Sequence, residues 1–433
     1  MNSADPATRP VRLAVLGAGN RGQKYLGWAR EHQDQAVLAA VADPLATARK
    51  QIRDGFADVA EFTDWRDLMA AVTEGTLEVD AVLVTTQDRD HVEPCLAVAD
   101  AGLPLLAEKP LGVSKEECVR IVDAIRRSGI MFAVGHVMRY TPYTELVRKV
   151  IESGRLGRII SIHHLEPVGW WHAAHSFVRG NWGNTATASP MLLAKSCHDI
   201  DWIMYVTGKS ISTVSSFGSL AHFRADEAPQ GAGDRCLDCA VEPTCPYSAK
   251  KIYIERPQRE GRASWLGSVV TRGEHEADLV EALRTGPYGR CVYKSDNDVV
   301  DNQVVSMQFD DGTTGSFTMT AFSEHTGRRT QIFGTHGCLD GDGKSVELFD
   351  FVTNEREHLA ADVPGSHDAG GGHGGGDAGL MSAFVAAVAT GDRQYIRSGV
   401  DETLASHLSV FAAEESRLEG TVVAVEAPAE ITP

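Results

Sequence analysis

The residues of this chain with the most chemistry to offer are Lys109, Lys195 and His198, together with a glycine-rich turn, Gly17-Ala18-Gly19-Asn20-Arg21-Gly22. A lysine near a cationic ring, partly out of water, has its pKa drawn toward neutrality. It can then take a hydroxyl proton while hydride leaves the same carbon. Histidine titrates in the range needed to share that proton. In a GxGxxG turn, Gly17 permits the tight turn, Gly19 lets backbone approach a pyrophosphate, and Gly22 allows close helix packing. Asn20 and Arg21 open the helix that follows, whose free N–H groups and positive dipole end attract phosphate. A second apolar run, Val37 to Ala42, ends in Asp43, placed to accept hydrogen bonds from a ribose and to repel a 2′-phosphate. Pro44 follows instead of an arginine, so NAD is expected rather than NADP.

The elements that must hold these residues are legible from pattern. Val11 to Leu16 reads as a strand buried on both faces, running into the glycine turn and a helix over Gln23 to Glu31. Asp80 to Thr86, Leu103 to Ala107 and Ile130 to Val134 read as further strands, with helices over His91 to Ala101 and Ser114 to Ser128 between them. Ser114 and Glu117 have the spacing of a capping box. Alternation of this kind predicts a parallel, doubly wound sheet. Thr85, Thr86, His91 and Glu108, at the strand ends and turns, join the glycine turn and Asp43 as candidate cofactor-binding residues, as does Lys109.

With 433 residues the chain is long for one domain and comfortable for two. Lys and Arg number 41 against 59 Asp and Glu, a net charge of -18, which disfavours nucleic acid and anionic membrane as partners. The N-terminal residues lack the pattern of a secretory signal, and no apolar stretch is long enough to span a membrane. A cytoplasmic enzyme is expected, whose eight cysteines are not a disulfide framework.

Glu108-Lys109-Pro110 after such a nucleotide-binding half, followed by Gly135-His136-Val137-Met138-Arg139-Tyr140-Thr141-Pro142, resembles the Gfo/Idh/MocA family of oxidoreductases. The resemblance implies a Rossmann domain, taken as residues 1–140, and a C-terminal α+β domain with an open, mostly antiparallel sheet, residues 141–433. One face of that sheet commonly mediates homo-oligomers, so a dimer or tetramer is expected. In the family's sugar dehydrogenases the helix corresponding to 191–206 usually carries Asp-x-x-x-His, with the His as acid/base beside the lysine of the EKP motif. Here His198 matches that His, but Ala194 stands where the Asp would be, and Lys195 is next to it. Lys109 and His198 are therefore read as catalytic, and Lys195 as a substrate contact. Arg139 and Tyr140 are added as substrate-binding candidates.

The run Trp170-Trp171-His172-Ala173-Ala174-His175-Ser176-Phe177-Val178-Arg179-Gly180-Asn181-Trp182 is dense in rings and donors, as pockets for polar small molecules are. Trp171, His175, Arg179 and Trp182 are read as substrate-binding, and so is His373 in a glycine-rich run. An insertion, about 222–290, carries Cys236, Cys239 and Cys245 in a CxxC-x5-C pattern. Three thiolates on a loop without its own core suggest a structural zinc, with Cys291 as fourth ligand and His222 as runner-up. A redox pair is the alternative.

The sequence thus predicts an NAD-dependent oxidoreductase acting on a secondary hydroxyl of a sugar, cyclitol or glycoside. Two alternatives remain: a glycoside hydrolase using transient oxidation, elimination and re-reduction, and a non-catalytic NAD-binding sensor.

Overall fold

Six short apolar segments make the first sheet: β1 (Val11–Leu16), β2 (Ala36–Ala42), β3 (Ala60–Phe62), β4 (Ala81–Val84), β5 (Leu105–Ala107) and β6 (Phe132–Val134). In the computed structural model, which describes residues 9–260, 265–273, 275–324, 327–361 and 373–427, they line up as β3-β2-β1-β4-β5-β6, every pair parallel. All four residues of β4 are buried, as a strand with helices on both faces requires. Strand order reverses between β1 and β4, which opens a crevice at their carboxyl ends. The helix Lys115–Ser128 starts at Ser114, whose hydroxyl accepts from the Glu117 amide. Glu117 reaches back one residue further than a capping box, to the Val113 amide at 2.7 Å.

The second sheet has nine strands: β7 (Ile159–Pro167), β8 (Ile211–Ser219), β9 (Asn302–Phe309), β10 (Thr314–Thr320), β11 (Arg329–Gly334), β12 (Gly337–Gly341), β13 (Ser345–Asp350), β14 (Glu355–Ala360) and β15 (Val423–Ala424). Its order is β14-β13-β12-β11-β7-β10-β9-β8-β15, and only β7 with β10 is parallel. β9 and β10 pair as a hairpin across Asp310-Asp311-Gly312, where Gly312 takes φ +85°. Strand β7 alternates, so that Ile162, His164 and Glu166 face inward toward the long helix Met191–Thr207. This helix carries Lys195 and His198.

The covalent order hides one feature of the packing. The chain returns to the first sheet after completing most of the second. Leu380, Met381, Phe384 and Val385, from the helix Gly376–Thr390, pack with Leu13, Tyr25 and Leu26. Leu404 and Leu408, from Val400–Glu419, pack with Ile121, Val122 and Val134. The core of the first domain is thus not confined to residues 1–140. No described helix is long and apolar enough to cross a membrane.

Phe384→Ala removes a fully buried ring at this junction, and is expected to cost about 3–5 kcal/mol. Chemical denaturation checks this; a loss below about 1 kcal/mol would mean the returning helix is not part of that core.

Candidate active site

The glycine turn is shaped as its spacing requires. Gly17 has φ +97°, and a Cβ there would lie 2.6 Å from the Thr85 carbonyl oxygen. A Cβ on Gly22 would lie 2.6 Å from the Gly17 carbonyl oxygen. Gly19 is different: nothing stands within 4 Å of its Cβ position, so open space lies over the backbone where a pyrophosphate would approach. Gly19 also caps the helix Asn20–Glu31 with no side-chain hydrogen bond, leaving its first N–H groups for a ligand. The Asp43 carboxylate is oriented by two backbone amides, Ala18 and Leu45, each at 2.8 Å. The cradle fits a dinucleotide. Thr85 and Thr86 sit at its rim, with hydroxyls donating to Gly17 O at 2.5 Å and Asp90 O at 3.0 Å.

Arg21 behaves differently from a phosphate ligand. Its guanidinium is shared between Glu108 and Asp377, each at 2.6 Å, and Glu108 also accepts from the Tyr25 hydroxyl. Burial alone would raise the Glu108 pKa, but the Arg21 charge overcomes it and holds the carboxyl below its usual range. His91 is a strut: its Nδ1 meets Pro110 O at 2.7 Å and its Nε2 meets Thr86 O at 3.2 Å. These three side chains build the cradle's frame rather than offering free groups to a cofactor.

Lys109 precedes a cis peptide bond to Pro110. Its Nζ donates to the Ala194 carbonyl at 2.5 Å, in the first turn of the helix that carries His198. The lysine of one domain and the histidine of the other are thereby brought together. His198 is buried, and burial first, then the charge of Lys109, holds its pKa well below the usual value. It is therefore neutral near pH 7, and its Nδ1 has no hydrogen-bond partner among the described residues. The rings of His373 and His136 lie 5.7 Å and 5.9 Å from it, centroid to centroid. His373 is tied to Asp377 at 3.2 Å, which links it to the Arg21 network. The glycine run from 367 to 372 lies outside the described residues.

Lys195 pairs with Glu166 at 3.1 Å, and Arg328 joins Glu166 at 2.9 Å and Asp199 at 2.5 Å. His164 completes the lattice, its Nε2 standing 3.1 Å from Asp199. Burial opposes the ionisation of Glu166, and Arg328 and Lys195 more than compensate, so it stays charged. Glu166, Asp199 and Arg328 were not singled out from sequence. The inward alternation of β7 was the available signal for Glu166; Arg328 had none.

Several expected substrate contacts are committed elsewhere. Arg139 makes a bidentate pair with Asp201, at 2.8 and 2.7 Å. The Tyr140 hydroxyl meets Ser398 Oγ at 2.9 Å and accepts from the Arg397 amide at 2.8 Å. His175 Nδ1 meets the Tyr253 hydroxyl at 2.9 Å, and its ring stacks on Tyr288. Arg179 is buried against the cysteine insertion, donating to Tyr247 O at 2.8 Å and Arg290 O at 2.7 Å. Trp171 is buried beneath the Arg256 guanidinium, 3.8 Å from the ring centroid. Most of the polar atoms or faces of these five already have partners within the fold; the Arg179 Nη1 is without one among the described residues. Trp182 differs: it spans the two domains, its Nε1 donating to Asp88 at 3.1 Å.

All four cysteines of the proposed metal set, Cys236, Cys239, Cys245 and Cys291, line one small cavity. Among the described residues, no group of three or more His, Cys, Asp or Glu side chains stands close enough to hold an ion as it is. His222, the alternative ligand, instead meets the Tyr293 hydroxyl at 3.1 Å.

A dinucleotide cradle facing a lysine–histidine pair across a domain interface defines an oxidoreductase. Residues 11–136 match the oxidoreductase family's NAD-binding Rossmann fold, and residues 148–425 match its C-terminal alpha/beta domain. The chain belongs to the Gfo/Idh/MocA oxidoreductase family. The rhizopine catabolism protein MocA of Rhizobium meliloti is 30% identical over 61% of this chain and 78% of its own. Inositol 2-dehydrogenase 2 of Saccharopolyspora erythraea is 33% identical over 48% of this chain and 56% of its own. The 2,7-anhydro-N-acetylneuraminate hydratase of Escherichia coli is 28% identical over 49% and 54%. Among solved structures, a levoglucosan dehydrogenase complex with NADH and levoglucosan superposes with a TM-score of 0.68 at 18% identity, covering 96% of this chain and 100% of the other. At that identity the likeness shows the fold alone.

Three buried rings give the protein an acid sensitivity whose sign is fixed. Burial first holds His136 and His175 down to about 3 and His407 down to about 4. The unfolded chain takes up these protons near pH 6.5, whereas the folded chain does not. Stability is therefore full above about pH 6.5 and falls as pH drops toward about 4, by up to about 1.4 kcal/mol per pH unit for each ring. Urea midpoints across pH 4–8 check this; a flat profile below pH 6.5 would contradict neutral burial.

Proposed function

We propose that the protein oxidises a secondary hydroxyl of a sugar, cyclitol or glycoside, using NAD bound on the Gly17–Gly22 turn and Asp43. The observation that carries this reading is the Lys109 Nζ on the Ala194 carbonyl, which holds a base one helical turn from His198. When bound, NAD supplies the hydride acceptor. Lys109 takes the hydroxyl proton, and neutral His198 offers an unpartnered Nδ1 to hydrogen-bond and orient the substrate hydroxyl. Lys195 uses a donor on Glu166 and keeps others for substrate oxygens. His373, whose side chain is 34% exposed, stands at the outer side of the pair.

A second reading keeps the same residues but returns the hydride after elimination, as a glycoside hydrolase or lyase would. Ala194 at the usual Asp position favours it, as does the similarity to a protein named a hydratase. The same proposal places the enzyme in the cytoplasm, in line with eight free thiols. It also makes it a homo-oligomer through the outer face of the second sheet. There Phe217 and Val304 are cross-strand partners and both exposed.

A panel of cyclitols, sugars and glycosides followed at 340 nm tests the proposal. Net oxidation accumulates NADH. Product release without NADH accumulation favours the second reading, and no turnover of any substrate sinks both. Lys109→Met is expected to lower kcat by about 10²–10⁴ with NAD affinity retained. Unchanged turnover in that variant would remove Lys109 from the chemistry.

A further inference from the structure

The cysteine insertion is built around a buried positive charge that has no ion-pair partner among the described residues. Arg179, 2% exposed, donates through Nη2 to Cys236 Sγ at 3.3 Å and to the Tyr247 carbonyl, and through Nε to the Arg290 carbonyl. Its Nη1 has no hydrogen-bond partner among the described residues. Glu242 lines the same cavity, but its carboxylate is engaged by Ser248 and Lys250; a buried guanidinium without its own anion is a costly arrangement unless negative charge is supplied nearby.

The neighbouring sulfurs are the available source. Cys236, Cys239, Cys245 and Cys291 line, with Arg179, a cavity of about 20 Å³, enough for one water or ion. Two of these sulfurs accept from N–H donors. Arg179 Nη2 serves Cys236, and the Gly233 amide serves Cys239 at 3.3 Å. At Cys245 and Cys291 burial outweighs the neighbouring Tyr247 and Tyr293 amides and holds both thiols above their usual range. Donors aimed at sulfur stabilise thiolate, and such outer-shell bonds accompany metal–thiolate ligation. The two cysteine-bearing segments are already held side by side. Cys236 N donates to Gly289 O and Cys291 N to Asp234 O, each at 2.9 Å, around the isolated Arg235–Arg290 bridge.

We infer that Cys236, Cys239, Cys245 and Cys291 form a structural tetrathiolate zinc site, whose net negative charge neutralises buried Arg179. Binding exchanges four thiol protons for one Zn²⁺, leaving a cluster of charge −2 with no change in oxidation state. All four positions are filled by protein, so the ion has no open site for substrate and serves structure. It closes the 236–245 loop onto the strand-like segment at 291, and fixes Arg179 at the end of the ring-rich segment. Closing the site requires the sulfurs to draw inward from their present positions.

The test uses the full chain purified without chelators or added metal. Elemental analysis is expected to find about one zinc per chain, and cobalt substitution to give the sulfur-to-metal charge-transfer bands of a four-sulfur site. Cys239→Ser and Cys245→Ser are expected to retain less than a fifth of the zinc. Arg179→Met, which keeps all four sulfurs, is expected to release zinc to a colorimetric chelator at least tenfold faster. Less than half an equivalent of zinc in the unmutated protein, with these thiols titratable or joined as disulfides, overturns the inference. So does a site filled by iron instead. Because metal content is read on the unmutated chain, failure of a variant to fold does not rescue the idea.

Discussion

Arg21 carries a charge that two distant parts of the chain are arranged to satisfy. It belongs to the first helix, Glu108 directly follows β5, and Asp377 lies at the start of the returning helix 356 residues further on. Asp377 in turn holds His373, and Glu108 is followed directly by Lys109. One guanidinium thus ties the cofactor turn, the lysine and the far histidine into a single frame. Removing either carboxylate would leave the cation under-compensated in a largely dry interior, where the penalty is several kcal/mol. The geometry of the lysine–histidine pair is inherited from this frame, because Lys109 can reach Ala194 only while the turn after β5 holds its position.

The reaction centre is kept in a chosen charge state by its surroundings. His198 lies between the Lys109 ammonium and other buried rings, and dehydration with positive neighbours makes a second cation there unfavourable. Beneath it, Glu166 and Asp199 hold Lys195 and Arg328 in a lattice that lets them carry charge under α/β packing. Lys109, held on the Ala194 carbonyl, is thus set beside a neutral imidazole above a layer of paired charges.

The sequence revealed the first sheet well because strands buried on both faces are apolar throughout, and because the glycine turn is a local motif whose geometry depends on few residues. Lys109 and His198 were legible from type and context. The ion lattice was not: Arg328 is separated from Asp199 by 129 positions and Arg139 from Asp201 by 62, and no local pattern records such pairing. The same blindness applies to residues assigned to ligands whose side chains have partners within the fold. In sequence, a donor such as His91, His175 or Arg179 looks alike whether its partner is a substrate oxygen or a backbone carbonyl. The outer edge of the second sheet is hard to read from sequence for another reason. The outermost, β14, is largely exposed and rich in charge, so it lacks the apolar signature on which pattern reading relies.

The return of the chain to its first sheet also bears on how the protein is made. As a nascent chain leaves the ribosome, domains usually complete in order, the N-terminal one first. Here the first sheet lacks Leu380, Phe384, Leu404 and Leu408 until nearly the whole polypeptide has emerged. The glycine turn can form early, but the apolar surface beside it stays uncovered while the second domain is being synthesised. The segment most at hazard during synthesis is therefore the one that appears first, and completion of the nucleotide site waits on the last helices to be translated.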